Sequence, residues 1–194
     1  MDSFKLILDN IISDSENSSF IKMGYKPLYS ANKNAKILIV GQAPGQKAQQ
    51  RAKVWDDKSG DTLREWLGVD KEVFYSDSFS FLPADFFYQG RAKNGDLPPR
   101  KWFAKKYHSR LIELMPNIKL TILVGLYAQK EYLLSTSKAN LTQNVKSFRE
   151  FLPKYFPLVH PSPLNFRWQS KNPWFLDEVV PILKKEVKNI LNAT

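Results

Sequence analysis

Four short apolar runs are spaced along the chain and are typical of buried strands. They occupy residues 37–40, 74–82, 120–124 and 156–159. The first of them, Ile-Leu-Ile-Val, is apolar without interruption, as expected for a strand with both faces covered in a parallel sheet. The second run is rich in aromatic residues and ends at Pro83.

Apolar residues between these runs recur at the spacing of amphipathic helices. The predicted helices lie at residues 4–11, 63–67, 102–115, 126–134, 145–152 and 176–190. We expect Ser59 or Asp61 to cap the second helix, and Pro181 either to kink the last helix or to mark a late start. Residues 13–19 and 83–100 are predicted loops, and a loop as long as the second is often functional.

Strands that alternate with helices favour a parallel sheet that is covered on both faces. The predicted fold class is therefore α/β: a three-layer α/β/α sandwich with a central four-stranded, mainly parallel sheet. The length of 194 residues fits a single domain over residues 1–194 with a substantial core.

Composition narrows the chemistry of the site. The chain has no cysteine and two histidines, so it has no thiolate ligands for a metal ion or an iron–sulfur cluster, and we expect neither metal nor cofactor. The net charge of +10 suits a polyanionic partner such as DNA, RNA or an anionic membrane surface, although basic charge also serves solubility. No apolar run is long enough to span a bilayer, and the N-terminus does not resemble a signal peptide. We expect a cytoplasmic or nucleoid-associated monomer.

Two unusual loops follow the first and fourth apolar runs. The glycine loop, Gly41-Gln42-Ala43-Pro44-Gly45, and the histidine loop, His160-Pro161-Ser162-Pro163-Leu164-Asn165, are separated by more than a hundred residues. Ligands bind at the carboxyl ends of parallel strands, so both loops are expected to face one pocket. Free N–H groups of the glycine loop can hold a carbonyl or an anion, although an ordinary turn has the same pattern.

These motifs, in this order, resemble the uracil-DNA glycosylase superfamily over roughly residues 35–185. The residues His-Pro-Ser-Pro-Leu at 160–164 match the loop of that family letter for letter. The resemblance implies that His160 donates a hydrogen bond to the departing uracil and that Leu164 enters the space left by the flipped nucleotide. It also implies that Ser162 grips the backbone and that Trp55, followed by Gly60, stacks on the extruded base.

The full set of implied site residues is larger. The catalytic candidates are His160 and Gln42. The base-binding candidates are Gly41, Gln42, Ala43, Gly45, Trp55, Asp77 and His160, and the DNA-binding candidates are Ser59, Ser162, Leu164, Asn165, Arg167 and Lys171. Arg167 and Lys171 follow the histidine loop closely and suit phosphate contacts.

The chain departs from the best-known family members at several positions. Ala43 stands where a carboxylate positions water, and Asp56, Asp57, Asp61 and Asp85 are all open as substitutes. Gly45 stands where a Tyr excludes the methyl group of thymine, which leaves the base preference open. Gln42 replaces the Glu of the branch that binds an iron–sulfur cluster. Asp77 is the nearest equivalent of the Asn that recognises uracil, and its carboxylate accepts from N3–H but does not donate to O4.

The resemblance thus implies a monofunctional DNA glycosylase that removes uracil, or a related deaminated base, and leaves an abasic site. Two alternatives from other classes remain. One is a catalytically silent nucleic-acid-binding protein on the same fold, which Ala43 favours. The other is an α/β enzyme whose glycine loop binds a phosphate metabolite, although the sequence has neither a Walker lysine motif nor a dinucleotide-binding fingerprint.

Overall fold

The computed structural model describes residues 3–133 and 140–193, which include one sheet of four strands. The strands are β1 (Ile37–Val40), β2 (Phe79–Phe81), β3 (Leu120–Val124) and β4 (Tyr155–Leu158). Their order in the sheet is β2-β1-β3-β4, and each neighbouring pair runs parallel. The predicted sheet is confirmed, and it is parallel throughout.

Helices cover both faces of the sheet. They are α1 (Phe4–Ser13), α2 (Ser18–Lys22), α3 (Gln46–Arg51), α4 (Lys58–Leu67), α5 (Lys71–Phe74), α6 (Phe103–Glu113), α7 (Gly125–Tyr132), α8 (Leu141–Lys146), α9 (Phe166–Lys171) and α10 (Val180–Asn192). Single 3-10 turns lie at Ser15–Asn17, Phe148–Phe151 and Pro163–Asn165, and a π turn at Phe175–Val179 precedes α10.

Strand β1 shows why its run is apolar throughout. Ile37 and Ile39 pack into the core shared with α4 and α10, whereas Leu38 and Val40 pack into the core shared with α1 and α6. Successive side chains of a strand point to opposite faces, so a strand between two helical layers needs apolar residues at every position. The predicted three-layer α/β/α architecture is confirmed.

The second strand is shorter than predicted. Residues 74–82 were expected to be extended, but Phe74 ends α5 and only Phe79–Phe81 form β2. The Asp70 carboxylate accepts a hydrogen bond from the Val73 amide at 2.8 Å, and this cap favours a helical turn at the start of the aromatic run. The prediction of a loop over residues 13–19 was also wrong, because Ser15–Asn17 and Ser18–Lys22 form helical turns.

The structure shows which residue caps α4 and where Pro181 lies in the last helix. Neither Ser59 nor Asp61 caps α4; the cap is Asp57, whose carboxylate accepts from the Gly60 amide at 3.0 Å. Pro181 lies in the first turn of α10, so it marks a late start of that helix, where its missing N–H group removes no helical hydrogen bond. Leu134, the predicted end of α7, lies outside the described residues.

The long loop between β2 and α6 is fixed by a buried ion pair. The Asp85 carboxylate is fully buried and accepts from Arg100 Nε at 2.7 Å and from a terminal guanidinium nitrogen at 2.9 Å. The Arg100 guanidinium also lies 4.9 Å from the ring centre of Phe20. Because a paired charge of this kind tolerates little displacement, both ends of the loop are held against the core.

Candidate active site

The glycine loop and the histidine loop line one cavity of about 560 Å³ at the carboxyl ends of the strands. Gly41 directly follows β1, and His160 lies two residues beyond the end of β4. Strands β1 and β4 flank β3, and α7 begins directly after β3, so Tyr127 lines the same cavity between the two loops. The sheet therefore brings together two motifs that are far apart in sequence.

The glycine loop is anchored to the segment that follows β2. The Gly41 carbonyl accepts from the Ala84 amide at 2.9 Å, and the Gln42 carbonyl accepts from the Asp85 amide at 3.1 Å. The side-chain amide of Gln42 donates to the Leu97 carbonyl at 3.2 Å. The Gln42 side chain is thus engaged in holding residues 83–100 beside the cavity, a positioning role beyond the one implied by the resemblance.

The histidine loop is a stiff support for exposed side chains. The Asn165 side-chain amide donates to the His160 carbonyl at 2.6 Å, and the Ser162 hydroxyl accepts from the Leu164 amide at 3.2 Å. Two prolines fix the backbone between these contacts. The Leu164 side chain is 84% exposed on this turn, and it is the most exposed large apolar residue in the described part of the chain.

Trp55 faces His160 across the cavity. Its ring centre lies 5.8 Å from that of the imidazole, and the two ring planes are tilted by 35°. Trp55 adopts φ of +55°, a left-handed conformation that is uncommon for a bulky residue. Its indole covers Gly41, where an added Cβ would come within 3.2 Å of Cζ2, and it also packs against the core. The ring is therefore held in place by the fold, yet part of it lines the cavity.

Gly60 makes room for this conformation of Trp55. A Cβ added at Gly60 would lie only 1.8 Å from the Trp55 carbonyl oxygen. Strained backbone of this kind persists only where its surroundings fix it, and it is concentrated at functional sites. The sequence paired Trp55 with Gly60 through the family resemblance, and the structure supplies the steric reason.

The His160 ring is kept neutral by its environment. Burial lowers the pKa of His160, and the negative charge of Asp57 opposes this shift only in part. The imidazole is therefore uncharged at neutral pH and offers one N–H donor to a ligand in the cavity.

Four aspartates were open as substitutes for a carboxylate at Ala43, and the structure separates them. Among these four, all of which lie in the described part of the chain, Asp57 lines the cavity. Asp85 is buried against Arg100, and Asp61 is paired with Arg64. Asp56 lies within 3.8 Å of three basic side chains, those of Arg51, Lys53 and Lys71.

The expectation that Asp77 binds the base is wrong. Asp77 precedes β2 and so lies at the amino end of the sheet, opposite the cavity. Its carboxylate is exposed and accepts from the Asn32 side-chain amide at 2.6 Å. The error arose from the predicted start of the second strand, which placed Asp77 inside the strand rather than before it.

Most of the other predicted residues do meet at the cavity. Its lining includes Gly41, Gln42, Ala43, Gly45, Trp55, Ser59, His160 and Ser162. Leu164 and Asn165 lie on the adjoining turn, while Arg167 and Lys171 are exposed on α9, which follows that turn, and lie outside the lining of the cavity.

The sequence did not reveal that residues 83–100 line one side of the cavity. Tyr88, Asp96 and Leu97 line the cavity, with Gln89, Asn94 and Gly95 from the same segment. Residues 90–97 fold back on themselves, since the Ala92 amide donates to the Gly95 carbonyl at 2.8 Å and the Leu97 amide donates to the Gly90 carbonyl at 2.9 Å. The unusual length of this loop indicated a functional role, but it did not indicate which of its residues line the cavity.

Within residues 3–133 and 140–193, no cluster of three or more His, Asp or Glu side chains has the arrangement of a metal site. The helices in those ranges are all too short or too polar to cross a membrane.

The chain is similar to a solved structure and to a protein family. The solution NMR structure of a Methanosarcina acetivorans protein, provisionally assigned as a uracil DNA glycosylase, is similar to this chain with a TM-score of 0.46 and 13% sequence identity. The similarity covers 80% of this chain and 93% of that one. The family model of the uracil DNA glycosylase superfamily matches residues 28–184, which include both cavity loops and all four strands. The chain therefore belongs to the uracil DNA glycosylase superfamily.

Proposed function

We propose that this protein is a monofunctional DNA glycosylase that removes uracil, or a related deaminated base, from DNA. It hydrolyses the N-glycosidic bond and leaves an abasic site with the DNA strand uncut. The observation that carries the proposal is the meeting of a neutral imidazole and an indole, 5.8 Å apart, in a cavity bounded by the two family loops. One group can bind the charge that develops on the base, and the other can stack on its ring.

His160 is the catalytic hydrogen-bond donor in this proposal. As the glycosidic bond breaks, the base takes the bonding electron pair and its oxygen gains negative charge, while the sugar gains oxocarbenium character. An N–H donor aimed at that oxygen stabilises the transition state more than the ground state, and loss of one such donor typically costs about 2.7–4 kcal/mol. Backbone N–H groups beside Gln42 supply further donors in the same cavity.

Trp55 is the stacking surface for the extruded base. A target nucleotide inside a duplex must leave the stack before its glycosidic bond is accessible, and the protein then replaces the lost stacking. The indole is fixed by Gly41, Gly60 and the core, so it is already in place when the base arrives. Ala43 and Gly45 complete the base pocket with small residues.

Asp57 is the residue that we assign to the attacking water. It lies in the lining of the cavity, and its charge acts on His160, so it is near the reacting groups. Its other carboxylate contact, with the Gly60 amide, fixes the side chain at the start of α4. Water held by Asp57 would attack the sugar carbon and transfer its proton to the carboxylate, a role that Ala43 cannot perform.

Contacts to DNA outside the pocket follow from position and charge. Leu164 is the exposed wedge that enters the gap left by the flipped nucleotide. Ser59 and Ser162 line the cavity and bind backbone phosphates in this proposal, and Arg167 and Lys171 add positive charge on α9. Asn165 acts by fixing the His160 carbonyl.

The decisive experiment uses labelled oligonucleotides that carry one uracil, single-stranded or opposite G or A, followed by alkaline cleavage of abasic sites. We expect breaks at uracil with the native protein and a rate at least 10²-fold lower with His160→Ala. Asp57→Asn is the matched test of the water-binding residue, because Asn also caps helices well and preserves the contact with Gly60. Tight binding to uracil-containing DNA without breaks would instead favour a silent binding protein, the alternative suggested by Ala43.

A further inference from the structure

Phe166 is a large apolar residue that the proposed function leaves unexplained. Its side chain is 59% exposed, and it lies two residues beyond Leu164. Both side chains project from the same short segment next to the cavity. Exposed apolar side chains that adjoin each other and a binding site commonly mark a surface that a partner covers.

The fold itself directs Phe166 away from the core. The Trp168 indole N–H donates to the Thr142 hydroxyl at 2.9 Å, and its ring packs edge-on against Phe175 at 5.4 Å. Residues two apart on a helix point in nearly opposite directions, since each residue turns the helix by about 100°. With Trp168 anchored to the core, Phe166 at the start of α9 faces solvent.

The support beneath Phe166 is rigid. Asn165, its neighbour, is bonded to the His160 carbonyl, and the Asn172 side-chain amide donates to the Trp168 carbonyl at 2.8 Å at the other end of α9. With the backbone held on both sides, the Cα–Cβ bond of Phe166 stays directed towards solvent. The ring is thus preorganised for binding, which reduces the conformational entropy lost when a partner binds.

Charge indicates the partner. The Arg167 guanidinium lies 5.6 Å from the ring centre of Phe166, and Lys171 is exposed on the same helix. A flat apolar surface beside phosphate-binding cations suits a nucleic acid whose bases are accessible, because bases stack on aromatic rings while cations bind phosphates. The net charge of +10 agrees with this polyanionic partner.

We propose that Phe166 stacks on the base of the opposite strand that loses its partner when the target nucleotide leaves the duplex. This inference rests on the proposed function, in which Leu164 fills the gap in the damaged strand. Phe166 then covers the orphaned base that the same event exposes. Single-stranded DNA has no such base, so Phe166 contributes only on duplex DNA.

The first measurement compares uracil excision from duplex and single-stranded oligonucleotides by Phe166→Ala and the native protein. We expect kcat/KM to fall about 10- to 100-fold on the duplex and to stay within about twofold on the single strand. Phe166→Trp should retain duplex activity because it preserves the stacking surface. Met23→Ala is the matched control, since Met23 is also 59% exposed but lies at the end of α2.

The second measurement does not depend on catalysis. A duplex that carries a tetrahydrofuran abasic-site analogue opposite 2-aminopurine reports stacking on the orphaned base through fluorescence quenching. We expect the native protein and Phe166→Trp to quench the signal, and Phe166→Ala to bind with most of the quenching lost.

The two measurements separate failure of this inference from failure of the proposed function. The role of Phe166 would be overturned if Phe166→Ala lowered kcat/KM equally on duplex and single-stranded DNA, or did not lower it at all, and if quenching was also unchanged. Uracil excision by the native protein would then still support the glycosylase proposal. No excision of uracil, hypoxanthine or xanthine by the native protein would overturn the glycosylase proposal, and the quenching assay would still decide whether Phe166 stacks on the orphaned base.

Discussion

The substitution Gly60→Ala is the sharpest test of how the fold builds the site, because local and tertiary effects predict opposite signs. Gly60 lies inside the first turns of α4, where Ala is normally favoured over Gly by about 1 kcal/mol. The structure predicts destabilisation instead. A Cβ at this position would lie 1.8 Å from the carbonyl oxygen and 2.7 Å from the carbonyl carbon of Trp55.

The size of the effect follows from that clash. The Trp55 carbonyl would have to retreat by roughly 1.2 Å before the contact reached 3.0 Å, below which real Cβ contacts essentially do not occur. The clash involves backbone rather than a flexible side chain, and overpacking of this kind costs about 1–3 kcal/mol, occasionally more. Because the added Cβ would meet backbone atoms at 1.8 Å, we expect the upper end of that range. After subtraction of the helical gain of about 1 kcal/mol, the net loss should be about 2 kcal/mol, or a Tm lower by about 4–8 °C.

Activity should suffer more than stability. The indole of Trp55 must shift with its backbone, and a displacement of about 1 Å in a catalytic site can reduce the rate by about 10²-fold. Urea unfolding gives the stability, and single-turnover excision under conditions where both proteins are folded gives the rate. Thermal unfolding supplies an independent check on the sign.

Gly24→Ala provides the control for a generic glycine effect. Gly24 has φ of +78° and no atom within 4 Å of an added Cβ, so Ala there has backbone strain of about 1 kcal/mol without a clash. It lies in the turn after α2, away from the cavity, and excision per folded molecule should be unchanged. A Gly60→Ala variant that unfolds at a higher temperature and still excises uracil at the native rate would refute the reasoning.

Three further predictions concern aromatic and titratable groups. Trp55→Ala should slow excision about 10- to 100-fold through lost stacking, with most activity retained by Trp55→Phe, as single-turnover rates will show. Because burial lowers the pKa of His160, the plot of excision rate against pH should have no inflection near pH 6.5. A fall in the excision rate with its midpoint at or above pH 6.5 would contradict a neutral donor. Burial lowers the pKa of His108 to about 4, so its contribution to stability is complete above about pH 6.5 and is lost as the pH falls towards 4. Urea unfolding should show about 2 kcal/mol less stability at pH 5 than at pH 7.5 from this group, and His108→Asn should lack that part of the loss.

The buried ring of His108 illustrates a role that sequence could not assign. Its Nε2–H donates to the Pro83 carbonyl at 3.0 Å, and Nδ1 accepts from the Tyr132 hydroxyl at 2.7 Å. Both nitrogens are used within the core, so His108 is structural, whereas His160 keeps a donor for the cavity. The two histidines differ in neighbours that are distant in sequence.

The main features of the fold follow from local pattern. The four apolar runs and the helices between them predicted a parallel sheet, because a strand covered on both faces must be apolar at every position. The resemblance then identified Gly41, His160 and Trp55 as members of one site. Parallel strands bring the residues that follow them to one edge, so these positions were predictable without coordinates.

Tertiary packing decided the rest. Asp57 was one of four open carboxylates, and its selection depended on where Asp85, Asp61 and Asp56 found basic partners. The contribution of residues 83–100 to the cavity depends on hydrogen bonds to Gln42 and on the buried Arg100. The role of Asp77 was mistaken because a strand start displaced by a few residues moves a side chain to the opposite end of the sheet.

The chain's sequence by itself therefore determined the parallel sheet, the order of its motifs and the chemistry available at its edge. Tertiary structure alone decided which of the four candidate aspartates reaches the cavity, why Trp55 holds a left-handed backbone against Gly60, and why Phe166 faces outward. The physical reason is that periodicity and turn preferences depend on neighbouring residues along the chain. Ion pairing, steric fit and the direction of a side chain depend on atoms that only folding brings into contact.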